Sequence, residues 1–230
     1  MERSIYAGHR FPPEIIEHAV WLYLRFCLSY RDVEDILARR GIDVTYETVR
    51  RWILKFGPIF AQRLRRRRPV PTGRWHLDEM FVSIRGKRFY LWRAVDDEGE
   101  VLDILVQPRR DKRAALGLLR KLLRKVAVRP ERVTTDKLRS YSSALRDLGL
   151  GARQVSGGRS NNRAENSHQP VRRKERCMKG FKSPSSAQIT LAAHAATYNA
   201  FNIQRHLISR KTLRAYRAEA MVEWQRAVAN

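Results

Sequence analysis

Apolar positions in the first sixty residues recur at helical spacing. Ile15, Ile16, Ala19, Val20, Tyr23 and Cys27 share one face of a helix predicted over 13–28. Pro12 and Pro13 stand at its start, where proline is tolerated. Ser29, followed three residues on by Asp32, reads as a capping box that opens a second helix. Val33, Ile36 and Leu37 form its stripe, and Gly41 is its expected stop. Thr45 caps a third helix lined by Val49, Trp52, Ile53 and Phe56. Two short helices behind a longer one are the pattern of a helix-turn-helix domain, whose last helix enters the major groove. On that reading Tyr46, Glu47, Arg50 and Arg51 meet base edges, with Lys55 further along the helix. Arg50 or Arg51 then pairs with guanine while the other holds phosphate. A plain three-helix bundle with a polar face is the alternative.

The pattern breaks over 61–72, AQRLRRRRPVPT. Arg65 to Arg68 are consecutive charges, and Pro69 and Pro71 oppose a regular helix. This predicts a basic linker in which Arg65 and Arg66 track a phosphate backbone.

From residue 73 the periodicity changes to that of strands. Residues 74–85 are apolar on both parities, Trp75 and Leu77 first, then Met80, Val82 and Ile84. Such a strand is expected to be buried on both faces. Strands over 88–95 and 100–106 complete a meander around an acidic, solvated turn at Asp96–Gly99. A helix over 111–126, a strand over 132–135, a helix over 139–148 and a short strand over 152–155 follow. A loop over 156–160 leads into a helix from Asn162, then to helices over 185–207 and 212–228. The order β-β-β-α-β-α-β-α predicts an α+β, ribonuclease-H-like (integrase-type) core behind an all-α domain. The expected organisation is 1–60 helix-turn-helix, 61–72 linker, 73–208 core and 209–230 a C-terminal helix.

Charge sharpens this picture. Forty-seven Lys and Arg oppose 23 Asp and Glu, a net +24, while the hydrophobic share of 43% is that of a folded chain. Such a surface calls for a polyanion, with nucleic acid the commonest. Cys27 and Cys177 are too few for a disulfide framework and fit a reducing, cytoplasmic compartment. No apolar stretch reaches about 18 residues, so no membrane span is expected, and Met1–Ser4 does not read as a signal peptide.

Three carboxylates carry the candidate chemistry. Asp78 interrupts an apolar strand, where a charge is costly unless it is paired or holds a metal. Asp136 follows the fourth strand, beside Lys137, at a strand end where ligands bind. Glu165 lies in the first turns of a helix, with His168 and Arg172 on its face and Arg173 beside them. Converging carboxylates suit Mg²⁺ or Mn²⁺, and two such ions serve in-line phosphoryl transfer, with His168 and Arg172 placing a phosphate. Taken singly, each also has an ordinary structural reading as a satisfied buried Asp, a helix cap or a surface charge. The His9, His18, His76, His194 and His206 side chains read as structural, and Glu175, set among Arg172, Arg173, Lys174 and Arg176, reads as a solvated charge.

The stretches FPPEIIEHAVWLYLRFCLSYRDVEDILARRGIDVTYETVRRW, GRWHLDEMFVSIRGKRFYLWRAVDDEGEVLD, VTTDKLRSY, NNRAENSHQPVRRKER with GFKS, and HAATYNAFNIQRHL together resemble the bacterial insertion-sequence-six family of DDE transposases. The resemblance implies a first domain that recognises terminal inverted repeats and a catalytic core whose triad is Asp78, Asp136 and Glu165. It places the family's basic residue on Arg172. It also implies 3′-end nicking, strand transfer and replicative, cointegrate-forming transposition by an Mg²⁺-dependent homo-dimer or higher oligomer on double-stranded DNA near the nucleoid. Twenty-eight residues separate Asp136 from Glu165, fewer than the family pattern, which points to a trimmed loop around Gly149–Ser160. A decayed copy that only binds DNA is the competing expectation.

Overall fold

The computed structural model describes residues 4–126, 128–157, 161–178, 180–203 and 208–229. His206 and the expected helix end at 204–207 lie outside the described residues. The chain forms two units, one from the start to Arg68 together with Ala192 onward, the other from Pro69 to Leu191.

In the first unit the capping signals act as expected. Helix α1 spans Pro13–Arg25 and buries Ile16, Ala19, Val20 and Tyr23. Helix α2 spans Tyr30–Ala38. The Ser29 hydroxyl accepts from the Asp32 N–H at 3.2 Å, and the Asp32 carboxylate accepts from the Ser29 N–H at 2.7 Å. Helix α3 opens on Thr45 but runs from Tyr46 to Arg67. Residues 61–67 are therefore helix, where the composition suggested a linker. The reason is the apolar stripe, which continues through Phe60, Ala61 and Leu64 and stays buried. That burial offsets Pro58 inside the helix, and the chain leaves helical geometry only at Arg68, before Pro69.

The polar side of that same stretch is engaged within the unit. Arg65 donates to the Ala192 carbonyl at 2.6 Å, and Arg67 pairs with Glu223 at 3.0 Å. Helix α8, Arg210–Val228, packs Trp224 edge-on against Phe60, ring centroids 5.6 Å apart. The last helix thus belongs to the first unit's core and is not a separate appendage. Helix α7 spans Pro184–Phe201 and contributes Ala192 onward here.

The second unit is a five-stranded mixed sheet in the order β3-β2-β1-β4-β5. β1 (Arg74–Ile84), β2 (Lys87–Asp96) and β3 (Val101–Gln107) form the antiparallel meander. β4 (Arg132–Thr135) joins β1 in parallel, and β5 (Gln154–Ser156) joins β4. Helices α4 (Lys112–Lys125) and α5 (Arg139–Asp147) share a core with Trp75, Leu77, Trp92 and Ala94 of the sheet. Helix α6 spans Asn162–Cys177 and lies against β1 and β2. This topology fits a ribonuclease-H-like core.

Two sequence expectations need correction. β1 is not buried on both faces along its length. Trp75 and Leu77 are buried up to residue 77, Met80, Val82 and Ile84 from residue 80, and the parity changes at Asp78–Glu79. The acidic turn is not all solvated either. Asp96 is fully buried, and its carboxylate accepts the Glu100 N–H at 2.8 Å and the Thr72 N–H at 3.4 Å, closing the hairpin.

Candidate active site

The site forms where the pairing of β1 changes. Its register with β4 ends at Leu77 opposite Thr135, so Asp78 and Asp136 are the next residues on two parallel neighbours. Side chains of successive strand residues leave opposite faces. Asp78 and Glu79 do so and still converge, because the β4 ladder has ended beside them. One carboxylate oxygen each from Asp78, Glu79 and Asp136 lie within 4.8 Å of one another. The Asp136 Oδ1 also accepts the Leu138 N–H at 3.0 Å, which fixes its orientation at the start of α5.

Helix α6 is pinned to this edge. Asn161, just before its first turn, donates its side-chain N–H to the Leu77 carbonyl at 2.9 Å. On the same helix Ser167 accepts from buried Arg93 at 2.9 Å and donates to the Ala164 carbonyl at 2.6 Å. Arg93 is the cross-strand partner of Asp78 on β2, so the arginine and the aspartate face α6 together. Glu165 stands exposed on this helix, outside the group of carboxylates within 4.8 Å. Its charge still acts on Asp78. His168 brings its Nδ1 to 3.7 Å from the Asp78 Oδ2. Glu175, expected as a solvated charge, instead accepts the Ser83 N–H at 3.3 Å and lies 3.5 Å from Arg172.

Among the described residues the electrostatics are those of negative charge short of cations. Burial pushes Asp78 up to about 7, reinforced by the Glu79, Asp136 and Glu165 charges against a backbone hydrogen bond. Burial also raises Glu79, whose side chain is 2% exposed, and Asp136 adds to the effect, although Tyr141 and Arg110 oppose it. Arg110 supplies a cation, bonding Glu79 and lying 3.3 Å from the Asp136 Oδ2. His168 supplies none. Burial, then Arg93 and Arg172, pushes it down to about 3, so it is a neutral imidazole at physiological pH. An all-oxygen donor set with a raised carboxyl pKa fits a hard divalent ion such as Mg²⁺ or Mn²⁺.

The other sequence-selected residues divide by setting. Lys137 and Arg173 are exposed in the second unit, and Arg172 is partly buried. In the first unit Arg51, Lys55 and Arg66 are exposed. Arg50 is held by Glu47 at 2.9 Å, Tyr46 lies under Arg31 at 4.2 Å, and Lys55 reaches His9 at 2.7 Å. Sequence reasoning missed Glu79, Arg110 and Tyr141. Strand alternation sends Glu79 away from Asp78, and only the end of the β4 ladder overrides it. Arg110 lies 26 residues before Asp136 in a loop and carries no local signal.

A DDE-domain family model matches residues 72–204. The transposase for insertion sequence-like element IS431mec of Staphylococcus aureus is 37% identical over 136 residues, 59% of this chain and 60% of that protein. The transposase for insertion sequence element IS257 in transposon Tn4003, also from Staphylococcus aureus, matches with the same identity and coverage. The match therefore spans about three-fifths of the length of these relatives. Among solved structures, the simian T-cell lymphotropic virus intasome in complex with PP2A regulatory subunit B56 gamma aligns at a TM-score of 0.42 and 14% identity, over 60% of this chain and 51% of that one.

Proposed function

The chain belongs to the DDE-domain transposases of the insertion-sequence-six family, and on that premise we propose that it binds the inverted-repeat ends of an insertion sequence, nicks each end to free a 3′-OH and joins that end to target DNA. The observation that carries this reading is the approach of the Asp78 and Asp136 carboxylates, within 4.8 Å, just past the point where the β1–β4 ladder ends. Two carboxylates converge there beside a helix that carries Glu165.

In this reading Asp78, Asp136 and Glu165 would hold a pair of Mg²⁺ or Mn²⁺ ions, which would supply activation of an attacking oxygen and stabilisation of the leaving one. Asn161 and Ser167 keep α6 at the strand edge, so that Glu165 can turn toward the aspartates from its first turns. Arg110 balances the Glu79 and Asp136 charges before substrate arrives. Neutral His168 packs beside Asp78 without competing as a cation, and Arg172 faces the scissile strand as a phosphate contact.

The first unit recognises the element ends through the start of α3, with Arg50, Arg51 and Tyr46 toward bases and Lys55 and Arg66 toward phosphates. Lys137 and Arg173 add backbone contacts in the second unit. Two ends require two active sites, so the working form is a dimer or larger, and the products are cointegrates.

The test uses the full chain, Mg²⁺ and labelled duplex carrying the parent element's ends. The expected result is a nick at the boundary and joining to a second DNA, both absent with Asp136→Asn. Binding of the ends with no nick in either Mg²⁺ or Mn²⁺ would overturn it.

A further inference from the structure

Beyond Asp78 the β1–β2 hairpin continues without β4, and the face that carries Glu79 opens into a groove of about 400 Å³. Phe81 and Tyr90 are cross-strand partners in its floor. Arg88, Arg110 and Arg172 line it, and Glu79 closes the end nearest Asp136.

Phe81 is the unusual member. It is 53% exposed although β1 is otherwise rich in buried apolar residues. Two guanidiniums attend its ring, Arg172 at 4.8 Å and Arg88 at 5.6 Å from the centroid. An exposed aromatic ring flanked by arginines is the combination that receives single-stranded nucleic acid, where a base stacks on the ring or guanidinium plane and the cations meet phosphates. A base inside a duplex keeps both faces stacked and offers no face to Phe81. Arg110 is shared with Glu79 and Asp136 and Arg172 lies beside Glu175, while Arg88 adds a further guanidinium at the Phe81 ring, an arrangement that suits a phosphodiester strand.

We propose that this groove holds an unpaired nucleotide next to the scissile phosphate, with its base stacked on Phe81 and its phosphates on Arg88 and Arg172. The inference rests on the reading that the carboxylates act on DNA, and it adds that the end of the element is locally opened to reach them. Arg110 sits between groove and carboxylates, so a strand that follows the arginines is led to Asp136.

The test measures binding of the full chain, without divalent ions, to element-end duplexes that differ at the boundary. One is fully paired, one carries an unpaired nucleotide and one an abasic position. 2-Aminopurine at the unpaired position reports stacking. The wild-type chain is expected to bind the unpaired duplex more tightly than the abasic one and to change the 2-aminopurine signal. Phe81→Ala is expected to lose about 10-fold in affinity for the unpaired duplex, with little change for the abasic one. Phe81→Trp is expected to restore both affinity and signal, and Arg88→Ala to weaken binding of all three and lower its salt dependence. If wild-type chain nicks DNA in Mg²⁺ but Phe81→Ala binds the unpaired duplex and shifts the signal as wild type does, the groove holds no base and the enzyme reading stands. If the wild-type chain neither binds nor nicks any of these duplexes, both readings fall.

Discussion

Two clusters of buried carboxylate in the same sheet behave in opposite ways. Asp103 on β3 is 3% exposed and has its own cations, Lys121 at 2.9 Å and Lys125 at 3.3 Å. Burial raises its pKa, but the two lysines and the Ile104 N–H outweigh burial and leave it below the ordinary carboxylate range. In the Asp78, Glu79 and Asp136 group Arg110 is shared between two members, and Asp78 rises to about 7. Burial is common to both clusters, so burial does not mark the candidate site. What sets it apart, among the described residues, is negative charge that is only partly neutralised at a strand edge.

The comparison can be broken at several points. The largest expected effect is on chemistry. Asp136→Asn and Glu165→Gln should each reduce nicking and strand transfer by about a thousand-fold or more, measured on labelled element ends. Glu79→Gln should cost only about ten-fold, through release of Arg110, which separates a ligand from a neighbour. Equal loss in Glu79→Gln and Glu165→Gln would make Glu79 a fourth member of the site.

At the structural cluster the effect is on stability. Asp103→Asn leaves Lys121 short of a counter-charge and should destabilise the chain by about 2–3 kcal/mol in urea unfolding. Nicking per folded molecule should be unchanged.

The two clusters should also differ in sign with pH. Asp103 has a depressed folded value, so its stabilisation is present above its unfolded pKa and is lost as pH falls through the lower folded value. Asp78 has a raised value, so its contribution is present below about 4 and is lost as pH rises through about 7. Metal-free chain should therefore lose about 2 kcal/mol between pH 5 and 8, after allowing for solvent screening. Asp78→Asn should flatten that slope in thermal melts. Mg²⁺ or Mn²⁺ should raise Tm more at pH 8 than at pH 6, because binding must displace the Asp78 proton.

The smallest effect lies far from both clusters. Ser29→Ala removes one half of the α2 capping box and should cost about 1 kcal/mol, read by urea unfolding.

Local chemistry was legible in the residues. Ser29 with Asp32, the α4 stripe from Ala115 to Leu122, the meander and the short parallel β4 all form close to where period and capping place them. Asp78 and Asp136 were legible as a charge in an apolar strand and a charge at a strand end. The basic stretch 61–67 was misread because composition outweighed the apolar stripe inside it, Phe60, Ala61 and Leu64. The place of α8 was not legible at all. Nothing local to Trp224 says that it packs on Phe60, 164 residues earlier.

The sequence by itself determined which segments are helix and strand, where they are capped, and which carboxylates sit where charge is costly, because these follow from spacing along one chain. Tertiary structure alone decided that Glu79 joins Asp78, that Arg110 bridges to Asp136, and that Phe81 is left open between two arginines. Each of these depends on where β4 stops beside β1 and on side chains brought together from distant segments. Strand periodicity records which side a residue leaves from, and only the neighbouring strand's end decides where it arrives.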